Sequence, residues 1–461
     1  MARGKKKEVL TLEERLQAAL VPESEQPYRV PGNWCWIHLL DSFENKTDSK
    51  KKVPQKTYLK QGVLAVVDQG KELVGGYTNE EAMAYSGELP VIVFGDHTRC
   101  IKYVDFPFAQ GADGVKVLKP KSFFDPKAFC LAMQSIDISN MGYRRHFPLF
   151  SQYAIPLPPL PEQYRIVDRI QSLFAKLDEA KQKVQDVLDS FETRKAAILH
   201  KAFSGELTAR WRKERGVGME KWKNVSWGTF ITLIESGRNW NAEGRPPEND
   251  EFGLVKVSAV TWGEFNELES KTCTINEQWN ENTQIHAGDF LFSRANTLQL
   301  VGNCVIVRDI SKRLMLSDKI LRFTFDKSVI PNFILYFTRS DFYRKQIEQL
   351  ASGNQDGMRN ISQKNMKLVE FLIPDKKEQA EIVSILDNFF AKEQRAKKIA
   401  KEVLEQISYI KKSILACAFR GELGTNDPAE GSSLELIEQT FSKTIADNNI
   451  WELKAIDRVE A

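Results

Sequence analysis

Two stretches of this chain carry one long amphipathic pattern. In the first, apolar or small residues fall at Ile166, Ile170, Leu173, Leu177, Ala180, Val184, Val187, Phe191 and Ile198. In the second they fall at Ile382, Leu386, Phe389, Ala396, Ala400, Val403, Ile407, Ile410 and Ile414, with Glu393 as the polar interruption. Steps of four and three alternate, which is a heptad seam. Each stretch follows a proline, Pro161 or Pro374, at a fitting helix boundary. Each is followed by a glycine, Gly205 or Gly421, suited to a C-terminal cap. The pattern predicts two helices of about 40 residues, each roughly 60 Å long. One such helix cannot bury its seam alone, whereas two in one chain can bury it against each other.

The two stretches are copies. An offset of 216 residues carries Glu162-Gln163 onto Glu378-Gln379, Ile166-Val167 onto Ile382-Val383, and Phe174-Ala175-Lys176 onto Phe390-Ala391-Lys392. It also carries Ala202-Phe203 onto Ala418-Phe419, and Gly205-Glu206-Leu207 onto Gly421-Glu422-Leu423, with no gap. A repeat of this kind sets the architecture before any single motif is read.

A larger block with a shorter period precedes each helix. In the first block Gly62–Val67, Pro90–Phe94 and Gly114–Leu118 predict strands, and Asp125–Ser135 a short helix. In the second, Gly253–Val257, Phe290–Phe292, Asn303–Val307 and Ile320–Phe323 predict strands, and Asn332–Gln349 a helix. Each block opens on tryptophan, at Trp34-Cys35-Trp36 and at Lys221-Trp222. The expected fold class is therefore α+β: two mixed globules separated by two long helices that form an antiparallel coiled coil with a pseudo-two-fold internal repeat. The boundaries read as an N-terminal segment 1–30, a first globule 31–158, a spacer helix 159–208, a second globule 219–373, a second spacer helix 374–424 and a tail 425–461. The tail predicts a helix near Leu434–Ala446, either a surface helix or part of a docking site.

Composition narrows the class. The chain has 461 residues, 42% of them hydrophobic and 28% charged, as a globular protein should. The basic start Arg3-Gly4-Lys5-Lys6-Lys7 leads into no apolar run, so neither a secretory signal nor a membrane span is expected, and a cytoplasmic location is. The six cysteines are scattered, without zinc-site spacing or a disulfide framework. Net charge is only +3. A nucleic-acid partner would have to be held by local basic patches, or its phosphates shared with other subunits.

Polar, glycine-bearing loops supply such patches. The first block offers His97, Arg99, Lys102, Gln110, Asp113, Tyr143, Arg144 and Arg145. The second offers Arg238, Asn239, Arg294, Asn296, Lys319, Asn354, Gln355, Arg359 and Asn360. Arginine can meet two acceptors of guanine, and asparagine or glutamine the donor and acceptor of adenine. Any one of these loops alone reads as a solvated turn. As a set on two matched globules they favour DNA. His97 and His146 read as surface histidines. The catalytic signatures sought are missing: the phosphate-binding Gly-x-x-x-x-Gly-Lys, the Gly-x-Gly-x-x-Gly turn, His-Glu-x-x-His and the Asn/Asp-Pro-Pro-Tyr/Phe of amino-methyltransferases. No catalytic, metal-binding or cofactor-binding residue is expected.

Several of these stretches together resemble the specificity (S) subunits of type I restriction–modification systems, the HsdS family. They are Leu10-Thr11-Leu12-Glu13-Glu14-Arg15, Val30-Pro31-Gly32-Asn33-Trp34, Phe94-Gly95-Asp96-His97-Thr98-Arg99, Gly288-Asp289-Phe290-Leu291-Phe292-Ser293-Arg294, the proline-rich junction Pro156–Gln163 and the doubled Ala-Phe-x-Gly-Glu-Leu. The resemblance implies that each globule is a target-recognition domain reading half of a bipartite duplex site. It implies that the helices act as a spacer and dock two modification subunits, which bind S-adenosylmethionine and methylate adenine. Restriction subunits using ATP and Mg would complete a phage-defence assembly. The chain itself would be a non-catalytic DNA-binding subunit without cofactor. A second reading stays open: a coiled-coil adaptor whose globules bind other proteins.

Overall fold

The computed structural model describes residues 11–140, 142, 144–261, 263–355 and 358–457. The chain divides into two compact units, Met1–Lys183 with Glu402–Ala461, and Val184–Lys401. The division runs through both long helices, Leu160–Phe203 and Lys376–Ala418. Each unit thus holds one globule, the first half of one long helix and the second half of the other.

In the first unit, four antiparallel strands lie in the order Phe43–Asn45, Val115–Pro120, Val91–Gly95, Ile101–Val104. Three shorter strands, Gly76–Thr78, Leu64–Val67 and Phe108–Gln110, form a second sheet. The expected helix is present at Pro126–Ser135, with Asp125 capping it through the amides of Lys127 and Ala128. Cys35–His38 pairs antiparallel with Ala154–Leu157, so the first and last strands of the globule close on each other. The segment before the globule is a helix, Leu12–Ala19, opened by a reciprocal capping box between Thr11 and Glu14. The tail is a helix too, Ser433–Asp457. It buries Ile437 and Phe441 in the core that holds Phe123, Phe129 and Phe150, so this part of the tail belongs to the globule's own packing.

The second unit repeats the plan with a larger globule. Ile231–Ser236, Ile320–Phe325, Phe290–Ser293 and Cys304–Ile306 form the main antiparallel sheet in that order. A second sheet contains Phe252–Val255 and Ser270–Cys273. Lys223–Ser226 pairs antiparallel with Glu370–Ile373, again closing the globule. The single helix expected over Asn332–Gln349 is two, Pro331–Phe337 and Asp341–Leu350. Ser340 divides them because its side chain accepts from the Tyr343 amide and caps a new helix. The segment Ser352–Asn360, read as a loop, is a hairpin of Ser352–Gln355 and Met358–Asn360.

The helix seam is present in each unit. In the first, Ile166 and Ile170 share a core with Leu415, Ala418 and Phe419, and Lys411 reaches Asp178 at 2.6 Å. In the second, Leu199, Ala202 and Phe203 share a core with Ile382, Val383 and Leu386. Low positions on one helix meet high positions on the other, so the pairing is antiparallel. Glu393, the polar interruption, receives the Arg194 guanidinium through two hydrogen bonds of 3.2 and 3.1 Å. Not every seam residue is covered: Val187, Val403 and Ile410 are exposed. A nearly straight helix drifts by about 20° per heptad from a 3.5-residue repeat, which carries part of the stripe out to solvent. Gly205 and Gly421 end the helices at φ +83° and +76°, the left-handed region expected of a cap.

Candidate nucleic-acid interface

The repeated Glu-Gln pair anchors each globule to the start of its long helix. The Glu162 carboxylate accepts from the Trp34 indole at 2.6 Å, from Thr425 Oγ1 at 3.1 Å and from Asn426 Nδ2 at 2.9 Å. Its copy, Glu378, accepts from the Trp222 indole at 3.0 Å, and from Thr208 Oγ1 and Arg212 Nη1 at 2.6 Å each. The glutamines act alike. Gln163 Oε1 accepts from the Asp125 amide at 2.7 Å, and its Nε2 donates to the carbonyls of Phe123 and Pro158 at 2.9 Å. Gln379 Oε1 accepts from the Ile330 amide at 2.9 Å, and its Nε2 donates to the carbonyls of Ser328 and Pro374. Asp125 and Ile330 each directly precede a globule helix. All four side chains are buried. Each globule is therefore held to its spacer by a satisfied polar network, and satisfied buried networks rigidify and specify.

In the first globule the candidate loops meet at one end of the four-stranded sheet. Gly95 stands opposite Val115 in the ladder, and the Asp96 amide donates to the Gly114 carbonyl at 2.6 Å. Asp96 is buried and binds the 144–147 segment: its carbonyl accepts from the His146 amide, and its Oδ1 from the Phe147 amide at 2.7 Å. His97, Arg99, Asp113, Arg144 and Arg145 are thereby gathered, with Arg144 and Arg145 exposed. Arg99 has a left-handed φ of 62° and donates from Nη1 to the Ile138 carbonyl at 2.7 Å. Tyr143 lies outside the described residues.

Three placements differ from the sequence reading. His146 is fully buried, with Nδ1 2.8 Å from the Asp96 carbonyl, so it is no surface histidine. Lys102 is buried, its ammonium 2.7 Å from the Asp68 carbonyl and 3.5 Å from Asp68 Oδ1. Burial pushes it below the usual lysine range although Asp68 opposes the shift. Gln110 is buried as well, accepting from the Asp48 amide at 3.2 Å. The Lys102 ammonium and the Gln110 Oε1 are thus spent on the fold. Sequence reasoning missed Gln69, whose Oε1 accepts from the His97 amide at 3.3 Å and whose carbonyl accepts from Thr98 Oγ1 at 2.5 Å. The polar turn Asp68-Gln69-Gly70-Lys71 was its only signal.

The second globule gathers its loops the same way. Ser236 stands opposite Leu321 and Ser293 opposite Ile320, so those strands end together. Beyond that end the Gly237 amide donates to the Ser317 carbonyl and the Arg294 amide to the Lys319 carbonyl. Ala295–Asn296 then pairs with Met358–Asn360, which puts Asn296 opposite Arg359. Arg238, Asn239, Arg294, Asn296, Lys319, Arg359 and Asn360 thus share one sheet end. Asn354 and Gln355 lie on the adjoining hairpin strand. Arg359 donates to the Gly353 carbonyl across that hairpin.

Among the described residues no group of three or more His, Cys, Asp or Glu side chains is placed to hold a metal ion. No described helix is long and apolar enough to cross a membrane.

Residues 219–406 match the family model of the type I restriction modification DNA specificity domain, which covers the second globule and the first part of its long helix. The chain is 28% identical to the EcoKI specificity subunit of Escherichia coli strain K12 over 294 residues, 62% of this chain and 61% of that one. It is 23% identical to the EcoR124I/EcoR124II specificity subunit of Escherichia coli over 367 residues, 77% of this chain and 86% of that one. The chain thus spans about six-tenths of the first relative's length. Among solved structures, the HsdS subunit of Thermoanaerobacter tengcongensis aligns with a TM-score of 0.51 at 17% identity, over 87% of this chain and all of that one. A chain from a structure described as underlying complex assembly and conformational transition of the type I R-M system aligns at 0.57, also at 17% identity, over 86% of this chain and all of that one. The fold is similar to that of type I restriction–modification specificity subunits. The chain is similar to these specificity subunits along most of its length, and residues 219–406 match the model of their DNA specificity domain.

Proposed function

We propose that this chain is a sequence-specific DNA-binding subunit that reads a bipartite duplex target and directs adenine methylation and restriction by partner subunits. One observation carries the reading. Two globules with matching Trp–Glu anchors each gather arginines at one sheet end, joined in the second by Lys319, Asn296 and Asn360. Such side chains supply both phosphate contacts and base-edge readout. Exposed cations are Arg144 and Arg145 at the first cluster and Arg238 at the second, where Arg294, Lys319 and Arg359 are half-buried. Each cluster takes one half of the target, while the long helices set the gap and dock two modification subunits. S-adenosylmethionine, ATP and Mg belong to the modification and restriction partners, and this chain performs no bond-changing step.

With a net charge of +3 the chain alone gains little from counterion release. Its own binding is therefore weak and only modestly salt-dependent, and the complex with modification subunits binds far more tightly. Fluorescence anisotropy of labelled duplex at several salt concentrations, with and without those subunits, tests this. Equal affinity of lone chain and complex for the target would refute shared phosphate contacts. Saturable S-adenosylmethionine binding by the lone chain would refute the non-catalytic assignment.

A further inference from the structure

We infer that Asn296 reads adenine in the half-site of the second globule, and that Thr261 is the positioning residue that locks its amide for the task. This rests on the DNA-reading function proposed above.

The geometry fixes which end of the Asn296 amide is which. Asn296 Oδ1 accepts from the Thr297 amide at 2.8 Å, a donor that cannot become an acceptor. Asn296 Nδ2 donates to Thr261 Oγ1 at 3.2 Å. That hydroxyl spends its only proton on the Val257 carbonyl at 3.0 Å, so toward Asn296 it can only accept. Thr261 is buried and is itself held by Asn303, whose Nδ2 donates to the Thr261 carbonyl at 2.8 Å. A flipped amide would set N–H against N–H on one side, and oxygen against a hydroxyl with no proton left on the other. The relay therefore excludes it.

An amide has two N–H groups and two acceptor lone pairs. Here one of each is used internally, leaving one N–H and one lone pair. That couple matches the N7 acceptor and N6 donor that adenine presents in the major groove. Asn296 is half-buried, and it stands opposite Arg359 in the ladder with Arg294 two residues away. Its open side is thus flanked by cations able to hold the phosphates beside the base being read. Thr261 lies 35 residues from Asn296 and touches no base in this account.

The test is selection of bound duplexes from a randomised pool with the full chain and its modification subunits, first as wild type. Enrichment of no sequence by the wild type would sink the DNA-reading function itself, and the inference with it. Given an enriched bipartite site, Thr261→Val, which keeps the shape and removes the acceptor, should lower the preference for adenine at one position by about tenfold. The other half-site should be unchanged, and Thr261→Ser should restore the preference. Asn296→Asp, nearly isosteric, offers acceptors only and should shift that position toward cytosine, whose N4 is a donor. An unchanged logo for Asn296→Asp would overturn the inference whatever the folding of the threonine variants. So would a Thr261→Val variant that retains full discrimination, or one that weakens both half-sites alike.

Discussion

Trp34 donates its indole N–H to the Glu162 carboxylate at 2.6 Å, across 128 residues of chain. Trp222 and Glu378 repeat the contact across 156 residues, at 3.0 Å. The two networks differ in one respect. Glu378 also holds Arg212, and that ion pair is nearly solvent-free, with side chains 1% and 7% exposed. Glu162 instead bonds the neutral side chains of Trp34, Thr425 and Asn426. Glu378→Gln should therefore destabilise the second unit by about 3–5 kcal/mol, because a buried guanidinium loses its counter-charge. Glu162→Gln should cost the first unit only about 1–3 kcal/mol, the range for disturbing a buried hydrogen-bond network. Denaturant titration of both variants ranks them; equal costs, or the reverse order, would contradict this account of the junctions.

The tail helix should be part of the first unit's stability. Ile437 is fully buried beside Phe441, and Phe441 packs on Phe123 with ring centroids 6.4 Å apart. Ile437→Ala should cost about 2–5 kcal/mol. Hydrogen exchange should then quicken in the first unit and not in the second. Uniform protection across the chain would show that the helix packs too loosely to matter.

Much of this was legible in the sequence because of the exact repeat. A doubled Glu-Gln with apolar steps of four and three needs no tertiary context to be read, and it located both junctions. The strands around Val91 and Phe290 were equally plain from their β-branched and aromatic runs. Other features depend on partners far away in sequence. Lys102 belongs to a strand in which alternate residues are buried, so it shares the inward face with Val104; only the fold places Asp68 there to receive its charge. The Ser352–Asn360 segment has the glycines and polar residues of a loop, and pairing with Ala295–Asn296 makes it a strand pair. Thr261 gave no signal, since its role exists only through Asn296.

Lys102 and Arg144 should part company under substitution. Lys102→Met removes a buried, partly compensated charge and should leave target preference unchanged, altering stability alone. Arg144→Ala, at an exposed position, should weaken recognition of one half-site by about 1–3 kcal/mol. Competition binding with single-base variants of the target distinguishes them. A change of base preference in Lys102→Met would put that side chain back in the interface.

The spacer should behave as a ruler with helical periodicity. Four residues inserted after Gln185 advance the helix by about 6 Å and rotate it by about 400°, close to a whole turn. The preferred gap between half-sites should lengthen by one or two base pairs, at about 3.4 Å each, with both half-sequences kept. Two inserted residues rotate it by about 200° and turn the seam away from its partner, so binding should be lost. Tolerance of both insertions with an unchanged gap would mean a passive linker.

Each globule should read its own half of one target, independently of the other. Duplexes selected from a randomised pool by the chain with its modification subunits should be sequenced for wild type, Arg294→Ala and Arg144→Ala. The wild-type pool should show two short conserved blocks separated by an unconserved gap of fixed length. Arg294→Ala should erode one block and Arg144→Ala the other. A single contiguous block, or erosion of both blocks by either substitution, would contradict it.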